Sequence, residues 1–231
     1  VSKDKKLTKL KYQLTILKEI FQVTVHYRQL LFQVKNHLHQ LLKIQIIGTL
    51  ISKPYINITL KLLNQFGIKY KNNDWKNFTL NTPSRFTSPK KIQVEGDASS
   101  ASYFFAAGAI AGSVEVFNIN KLSIQGDLEF LKIIKKMGAN VEYLSNSIKV
   151  SKKQSLVATT IDCKNIPDAA MTLAILALFA KGTTTLKSIA SWRVKETDRI
   201  LAMKTELKKL GAHVLTTKSS ITIKPPIVIK D

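Results

Sequence analysis

The chain has 231 residues, 36 Lys plus Arg against 15 Asp plus Glu, and a formal charge of +21 at pH 7. With 45% apolar and 8% aromatic residues, it can build one large core or two modest ones, which excludes wholesale disorder. One cysteine, Cys163, excludes a disulfide framework; no His or Cys cluster has metal-ligand spacing, and no apolar run approaches the roughly 18 residues of a membrane span.

The lysine-studded start lacks the apolar segment of a secretory signal, so a cytoplasmic protein with no membrane association is expected. The charge invites a nucleic-acid partner, because cations that neutralise phosphates release counterions. Arg occurs only at 28, 85, 193 and 199, and base-edge or bidentate phosphate recognition favours the Arg fork over lysine. Residues 1–94 carry 17 basic and 3 acidic side chains, net +14, whereas 95–231 carry 19 and 12, net +7. The lysines come with many Ile and Asn, which points to compositional bias rather than a selected patch.

In chain order, residues 1–47 mix Lys, Gln and Leu with no glycine or proline; Val23-Thr24-Val25 is strand-like, and a helix fits 28–43. Pro54 sits where a first helical turn tolerates it, and Ile58, Leu62, Leu63 and Phe66 continue that helix to a stop at Gly67. Asp97 through Ile110 reads as a helix of small and apolar residues closed at Gly112, followed by the strand Ser113-Val114-Glu115-Val116-Phe117. Gln125-Gly126-Asp127 leads into Leu128, Leu131, Ile134 and Met137, then the stop Gly138 and the strand Asn140-Val141-Glu142-Tyr143.

Asp168 through Ala180 repeats the first helix and closes at Gly182 before Thr183-Thr184-Thr185-Leu186. Arg199-Ile200 leads into Met203, Leu207 and Leu210, with the stop at Gly211 and a strand from His213-Val214. Gly67, Gly138 and Gly211 are 71 and 73 residues apart, a period that suits a βαβ-type module used several times. The order within a module is helix, strand, amphipathic helix, strand. The two small-residue helices are apolar nearly all round, which predicts burial on every side.

Three helix starts could carry chemistry. Asp97 can cap its helix through Ser99 and Ser100, or the first-turn amides can help hold an anion. Asp168, after Pro167, can cap the second apolar helix or act as a general base whose state depends on burial and neighbouring cations. In Ser191-Trp192-Arg193-Val194-Lys195-Glu196-Thr197-Asp198-Arg199, a helix starting near Thr197 sets Lys195 and Arg199 one turn apart at its positive end. Two cations there are unfavourable unless an anion lies between them; the alternative is a solvated run tied by Glu196 and Asp198. Ser52-Lys53-Pro54-Tyr55 reads as an ordinary helix start, and Cys163 as a packing residue.

The segments Leu50-Ile51-Ser52-Lys53-Pro54-Tyr55-Ile56, Val94-Glu95-Gly96-Asp97-Ala98-Ser99-Ser100-Ala101-Ser102-Tyr103-Phe104, Gln125-Gly126-Asp127, Ile166-Pro167-Asp168-Ala169-Ala170-Met171 and Trp192-Arg193-Val194-Lys195-Glu196-Thr197-Asp198-Arg199 together resemble the 5-enolpyruvylshikimate-3-phosphate synthase family, the 3-phosphoshikimate 1-carboxyvinyltransferases. The resemblance covers about residues 44–226. It implies an α/β fold of repeated βαβαββ units, the inside-out α/β barrel of enolpyruvyl transferases, here incomplete. The implied boundary lies near Glu95: residues 1–94 are a remnant of the middle domain, with 44–94 its last unit, and 95–231 are two units of the closing domain.

The resemblance implies transfer of the enolpyruvyl group of phosphoenolpyruvate to the 5-hydroxyl of shikimate 3-phosphate, with no metal or organic cofactor, in a monomer that binds no nucleic acid. Asp168 matches the proton acceptor. Lys195 matches a residue touching shikimate phosphate near the transferred group, and Glu196 a second acid or base. Arg199 matches a phosphoenolpyruvate-binding arginine, Ser52 a hydroxyl on the shikimate phosphate, and Ser191 a position often held by Asn. Residues 1–43 lack the Ser-Ser-Gln loop that the resemblance implies there. The expectation is therefore a fragment, inactive as it stands, whose first 43 residues derive from a shifted reading frame or a degraded gene. Two alternatives are a basic nucleic-acid-binding protein and the sister enzyme acting on UDP-N-acetylglucosamine, which relies on a loop cysteine unlike Cys163.

Overall fold

The computed structural model describes residues 42–48, 50, 52–80 and 85–229. The strand-like run at 23–25, nearly all of the helix drawn through 28–43 and nearly all of the aberrant segment lie outside the described residues. The last two residues of that segment begin a strand instead of ending a helix. The chain packs as two units, one of residues up to Leu50 with Leu62–Pro89, the other of Ile51–Lys61 with Lys90–Asp231.

In the first unit, β1 (Leu42–Gln45), β2 (Tyr70–Asn73) and β3 (Asn77–Leu80) form an antiparallel sheet in the order β1-β3-β2. Leu42 and Tyr70 both lie opposite Leu80. Helix α1 (Lys53–Gln65) ends at Gly67, whose φ of 77° is left-handed. The Ile68 amide returns to the Leu63 carbonyl at 2.9 Å. The other two repeat glycines do the same, with Ala139 bonding to Ile134 and Ala212 to Leu207, so the period read in the sequence is a recurrent helix stop satisfied by one hydrogen-bond pattern.

The second unit holds two successive modules. The first runs α2 (Ala98–Ala111), β4 (Ser113–Phe117), a 3₁₀ turn at Gly126–Leu128, α3 (Glu129–Met137), β5 (Asn140–Tyr143) and β6 (Ser147–Ser151), with the antiparallel sheet β4-β6-β5. The second runs β7 (Leu156–Val157), β8 (Thr160–Asp162), α4 (Ala169–Leu176), β9 (Ala180–Lys181), β10 (Thr184–Lys187), a 3₁₀ turn at Ala190–Val194, α5 (Arg199–Lys209), β11 (His213–Thr216) and β12 (Ile221–Lys224). Its sheet order is β11-β12-β10-β8, with β8 and β10 parallel across α4. Each module closes with a hairpin strand, β6 or β12, that the periodicity did not separate from the strand before it. The βαβαββ pattern supplies that strand.

Helices α2 and α4 stand side by side in the core. Their small residues allow close approach, and the Ser102 hydroxyl lies 2.7 Å from that of Thr172. Both residues are buried, and the shared bond satisfies two groups that would be costly to bury unpaired. Phe105, Phe130, Leu173, Leu176 and Trp192 fill the space around them.

The expectation of burial on every side does not hold. Tyr103 and Phe104 of α2 are 62% and 59% exposed, and Ile175 of α4 is 40% exposed, because packing partners among the described residues cover only part of each helix. On the covered side, contact is tight. A side-chain carbon at Gly108 would lie 2.6 Å from the Val150 carbonyl oxygen and 3.2 Å from the Val114 amide. Both are backbone atoms, so relief requires moving α2 away from its sheet. Gly108→Ala is expected to cost about 1–3 kcal/mol, read as a lowered midpoint in urea or thermal denaturation; an unchanged midpoint would show that the helix shifts freely.

Candidate functional site

The site is built on the start of α4. Asp168 precedes that helix with helical backbone angles and makes no side-chain cap bond to it, so the capping role open to it in the sequence is not the one it takes. Asp127, 41 residues earlier, accepts the Ala169 amide on Oδ1 at 3.3 Å. The next two amides, of Ala170 and Met171, bond to the carbonyls of Ile166 and Asp168, and the Asp168 carboxylate turns instead to two cations. Its Oδ1 accepts from Lys195 Nζ at 3.2 Å and from Arg199 Nη1 at 2.7 Å.

Lys195 and Arg199 meet there by a different route from the one expected. Helix α5 starts at Arg199 rather than near Thr197, because Asp198 is its cap and accepts the Leu201 amide at 3.1 Å. Lys195 lies outside the helix, at the end of the Ala190–Val194 turn. That turn is fastened by Trp192, whose indole N–H donates to the Pro167 carbonyl at 2.6 Å. The same turn carries Ser191, which is buried. The cations therefore converge through tertiary packing, and the anion between them is the Asp168 carboxylate.

This is not a solvated charge run. The Lys195 side chain is 3% exposed and that of Arg199 16%. Glu196, more exposed, receives Arg199 through both its oxygens at 2.7 and 2.8 Å. The Arg199 hydrogen bonds hold the Glu196 carboxyl below its ordinary range. Burial pulls Lys195 down to about 8, even though Asp168 works in the opposite direction. Arg193 is spent on structure: it pairs with Asp198 and donates to the carbonyls of Thr217 and Lys218.

The beginning of α1 adds a second group. Ser52 is buried and left-handed, with φ 58°, a conformation that costs a non-glycine residue about 1 kcal/mol or more. Its carbonyl accepts the Tyr55 amide at 3.1 Å, and the Tyr55 hydroxyl donates to Asp127 Oδ2 at 2.8 Å. Burial, then the charges of Asp127 and Asp168, push the Tyr55 hydroxyl up, so it stays a neutral donor facing both carboxylates. Tyr55 and Asp127 are the residues the sequence did not mark as functional. The signal for both was their place in motifs that carry the resemblance, Ser52-Lys53-Pro54-Tyr55 and Gln125-Gly126-Asp127.

At α2 the capping alternative prevails. Asp97 accepts the amides of Ser99 and Ser100, Gln125 Oε1 accepts that of Ala98, and Ala101 bonds to the Asp97 carbonyl. All four first-turn amides are used, so none is left for an anion. Cys163 is fully buried and its thiol is pushed up to about 12, first by burial; a packing role suits it and an acid role does not.

Among the described residues no helix is long and apolar enough to cross a membrane. The repeated α/β modules match the fold of solved enolpyruvyl transferases. The solved EPSP synthase of Acinetobacter baumannii superposes with a TM-score of 0.63 at 25% identity, over 80% of this chain and 43% of that one. The enolpyruvyl transferase NikO of Streptomyces tendae gives 0.57 at 14% identity, over 81% and 43%, which supports the fold alone.

The family model of EPSP synthase (3-phosphoshikimate 1-carboxyvinyltransferase) matches residues 34–230, and the chain belongs to that family. The match takes in residues 34–43, which composition had grouped with the unrelated start. The 3-phosphoshikimate 1-carboxyvinyltransferase of Shewanella pealeana is 53% identical over 184 residues, 79% of this chain and 43% of the relative. That of Colwellia psychrerythraea is 52% identical over 188 residues, 81% and 44%. The chain thus spans less than half the length of the curated relatives it matches.

Lys195 is expected to titrate near pH 8 in an NMR experiment on isotopically labelled lysine, and lower still in Asp168→Asn, which removes the group that raises it. Between pH 8 and the ordinary lysine value of 10.5, the folded chain binds fewer protons at this position than the unfolded chain. The contribution of Lys195 to stability therefore rises with pH across that window. A Lys195 signal titrating at the ordinary lysine value would contradict the buried placement.

Proposed function

We propose that the site serves transfer of the enolpyruvyl group of phosphoenolpyruvate to the 5-hydroxyl of shikimate 3-phosphate. The observation that carries this reading is the Asp168 carboxylate held between buried Lys195 and Arg199. A proton acceptor beside two cations suits a reaction in which a hydroxyl must lose its proton while both reactants bring negative charge.

In this reading Asp168 takes the proton of the 5-hydroxyl as its oxygen bonds to the substituted carbon of phosphoenolpyruvate, whose methylene gains a proton. Phosphate then leaves, a proton is lost from the resulting methyl group, and the enol ether remains. Arg199 holds the phosphoenolpyruvate anion, exchanging a carboxylate partner for it. Lys195 touches the shikimate phosphate near the transferred group, and its lowered proton affinity suits a proton-transfer role. Glu196 is the second acid or base. Ser52 and Ser191 supply hydroxyls to shikimate 3-phosphate.

The same reading places a domain boundary near Glu95, with 44–94 the last unit of one domain and 95–231 two units of the next, in a monomeric cytoplasmic protein. Binding tests it directly, because it reads the site's own groups without depending on turnover. Isothermal titration with shikimate 3-phosphate at moderate salt should give saturable binding, weakened roughly 10- to 100-fold by Lys195→Ala, as expected for a lost charge-assisted hydrogen bond. DNA binding with a steep salt dependence and no heat from shikimate 3-phosphate would sink the proposal.

A further inference from the structure

Asp127 is the most fully enclosed carboxylate near the site, 3% exposed. The Ser99 hydroxyl and the Tyr55 hydroxyl both donate to its Oδ2, and the Ala169 amide donates to its Oδ1. These three donors lie in the first turns of α2, α1 and α4. One carboxylate thus joins three helix starts, each from a different stretch of chain.

Its own backbone is locked as tightly. A side-chain carbon at Gly126 would lie 2.6 Å from Cβ of Pro54 and 2.7 Å from the carbonyl oxygen of Asn165. Gly126 is therefore wedged between the first turn of α1 and the loop that leads into α4. The hydrogen bonds and this packing together tie the 126–127 segment to Tyr55 and Ala169.

We propose that Asp127 is a positioning residue: by holding the first amide of α4 and tethering Tyr55, it fixes the segment that carries Asp168, and so the carboxylate between Lys195 and Arg199, relative to Ser52. The Ala170 and Met171 amides, which an Asp at this position ordinarily holds, go to the Ile166 and Asp168 carbonyls, and the bond from the Ala169 amide to Asp127 anchors the segment that carries Asp168. The assignment rests on the reading of Asp168, Lys195 and Ser52 as substrate-facing groups, but its geometry can be tested without substrate.

The test follows the Lys195 titration by NMR in the full chain, comparing wild type with Asp127→Asn, Gly126→Ala and, as control, Ser102→Ala. Asp127→Asn leaves one acceptor oxygen where two are in use, so either the Ala169 amide or the two hydroxyls lose theirs, and Gly126→Ala displaces the same segment with no change of charge. Ser102→Ala removes a buried bond elsewhere in the core. Asp168, Glu196 and Arg199 are the charged groups that set the Lys195 value. The first two variants are expected to move the titration downward by roughly half a pH unit or more, as the segment carrying Asp168 shifts away from Lys195, while the control leaves it in place.

If Asp127→Asn moves it and Gly126→Ala does not, Asp127 acts through its charge and positioning is overturned. If both lower the melting temperature while Lys195 titrates as in wild type, Asp127 is structural only, and the proposal again fails. Should either variant not fold, Tyr55→Phe, which deletes one donor without altering charge, takes its place under the same criteria. Calorimetry with shikimate 3-phosphate on the same samples separates the two ideas. Wild type that fails to bind overturns the functional reading alone, whereas wild type that binds and variants that bind equally well overturn the role of Asp127.

Discussion

Two cations held against one carboxylate in a poorly hydrated space form the constraint on which the rest of the site depends. Lys195 and Arg199 repel one another, and both are largely withdrawn from water. Asp168 and Glu196 balance them. The cost of desolvation is visible in the lowered proton affinity of Lys195, and the compensation comes from the two carboxylates. In the proposed reading an incoming anion replaces one of these carboxylates, an exchange that leaves the local charge nearly unchanged.

The fold makes this possible by supplying rigid helix starts. Small residues let α2 and α4 lie close, glycine stops turn each amphipathic helix back into its sheet, and the buried Trp192 anchors the turn that delivers Lys195 to its place. Each element brings one group to the site, and the precision of the cluster is inherited from packing elsewhere. A change as small as a methyl group would be transmitted through backbone at position 108, and at 126 through the Asn165 carbonyl and the stiff Pro54 ring.

Much of this was legible in the sequence, and the parts that were not share a cause. The helix stops at Gly67, Gly138 and Gly211, the cap at Asp97 and the two small-residue helices follow from local chemistry that depends on neighbours within a turn. The gathering of Asp168, Lys195, Glu196 and Arg199 was reached through the resemblance of long motifs, although the helix was placed two residues too early. Asp127 and Tyr55 were invisible as partners because they are 72 residues apart, and nothing local distinguishes a carboxylate that caps a distant helix from one that faces water. Exposure of α2 and α4 was misjudged for a related reason: uniform apolarity states what a helix can bury, and its neighbours decide how much of it they cover.

Those uncovered side chains give ionic strength an unusual hold on this molecule. Tyr103, Phe104, Ile175 and Phe179 face solvent on a chain carrying +21 charges. At low salt, mutual repulsion keeps copies apart. Near 0.1 M the screening length falls to about 10 Å, and the apolar faces of two molecules can approach with far less opposition. Salt therefore acts twice and in opposite senses, loosening the grip of the surface on any anion while favouring contact between protein molecules. Solubility should then vary with the buffer, through the excess of lysine and the exposed aromatic and aliphatic side chains.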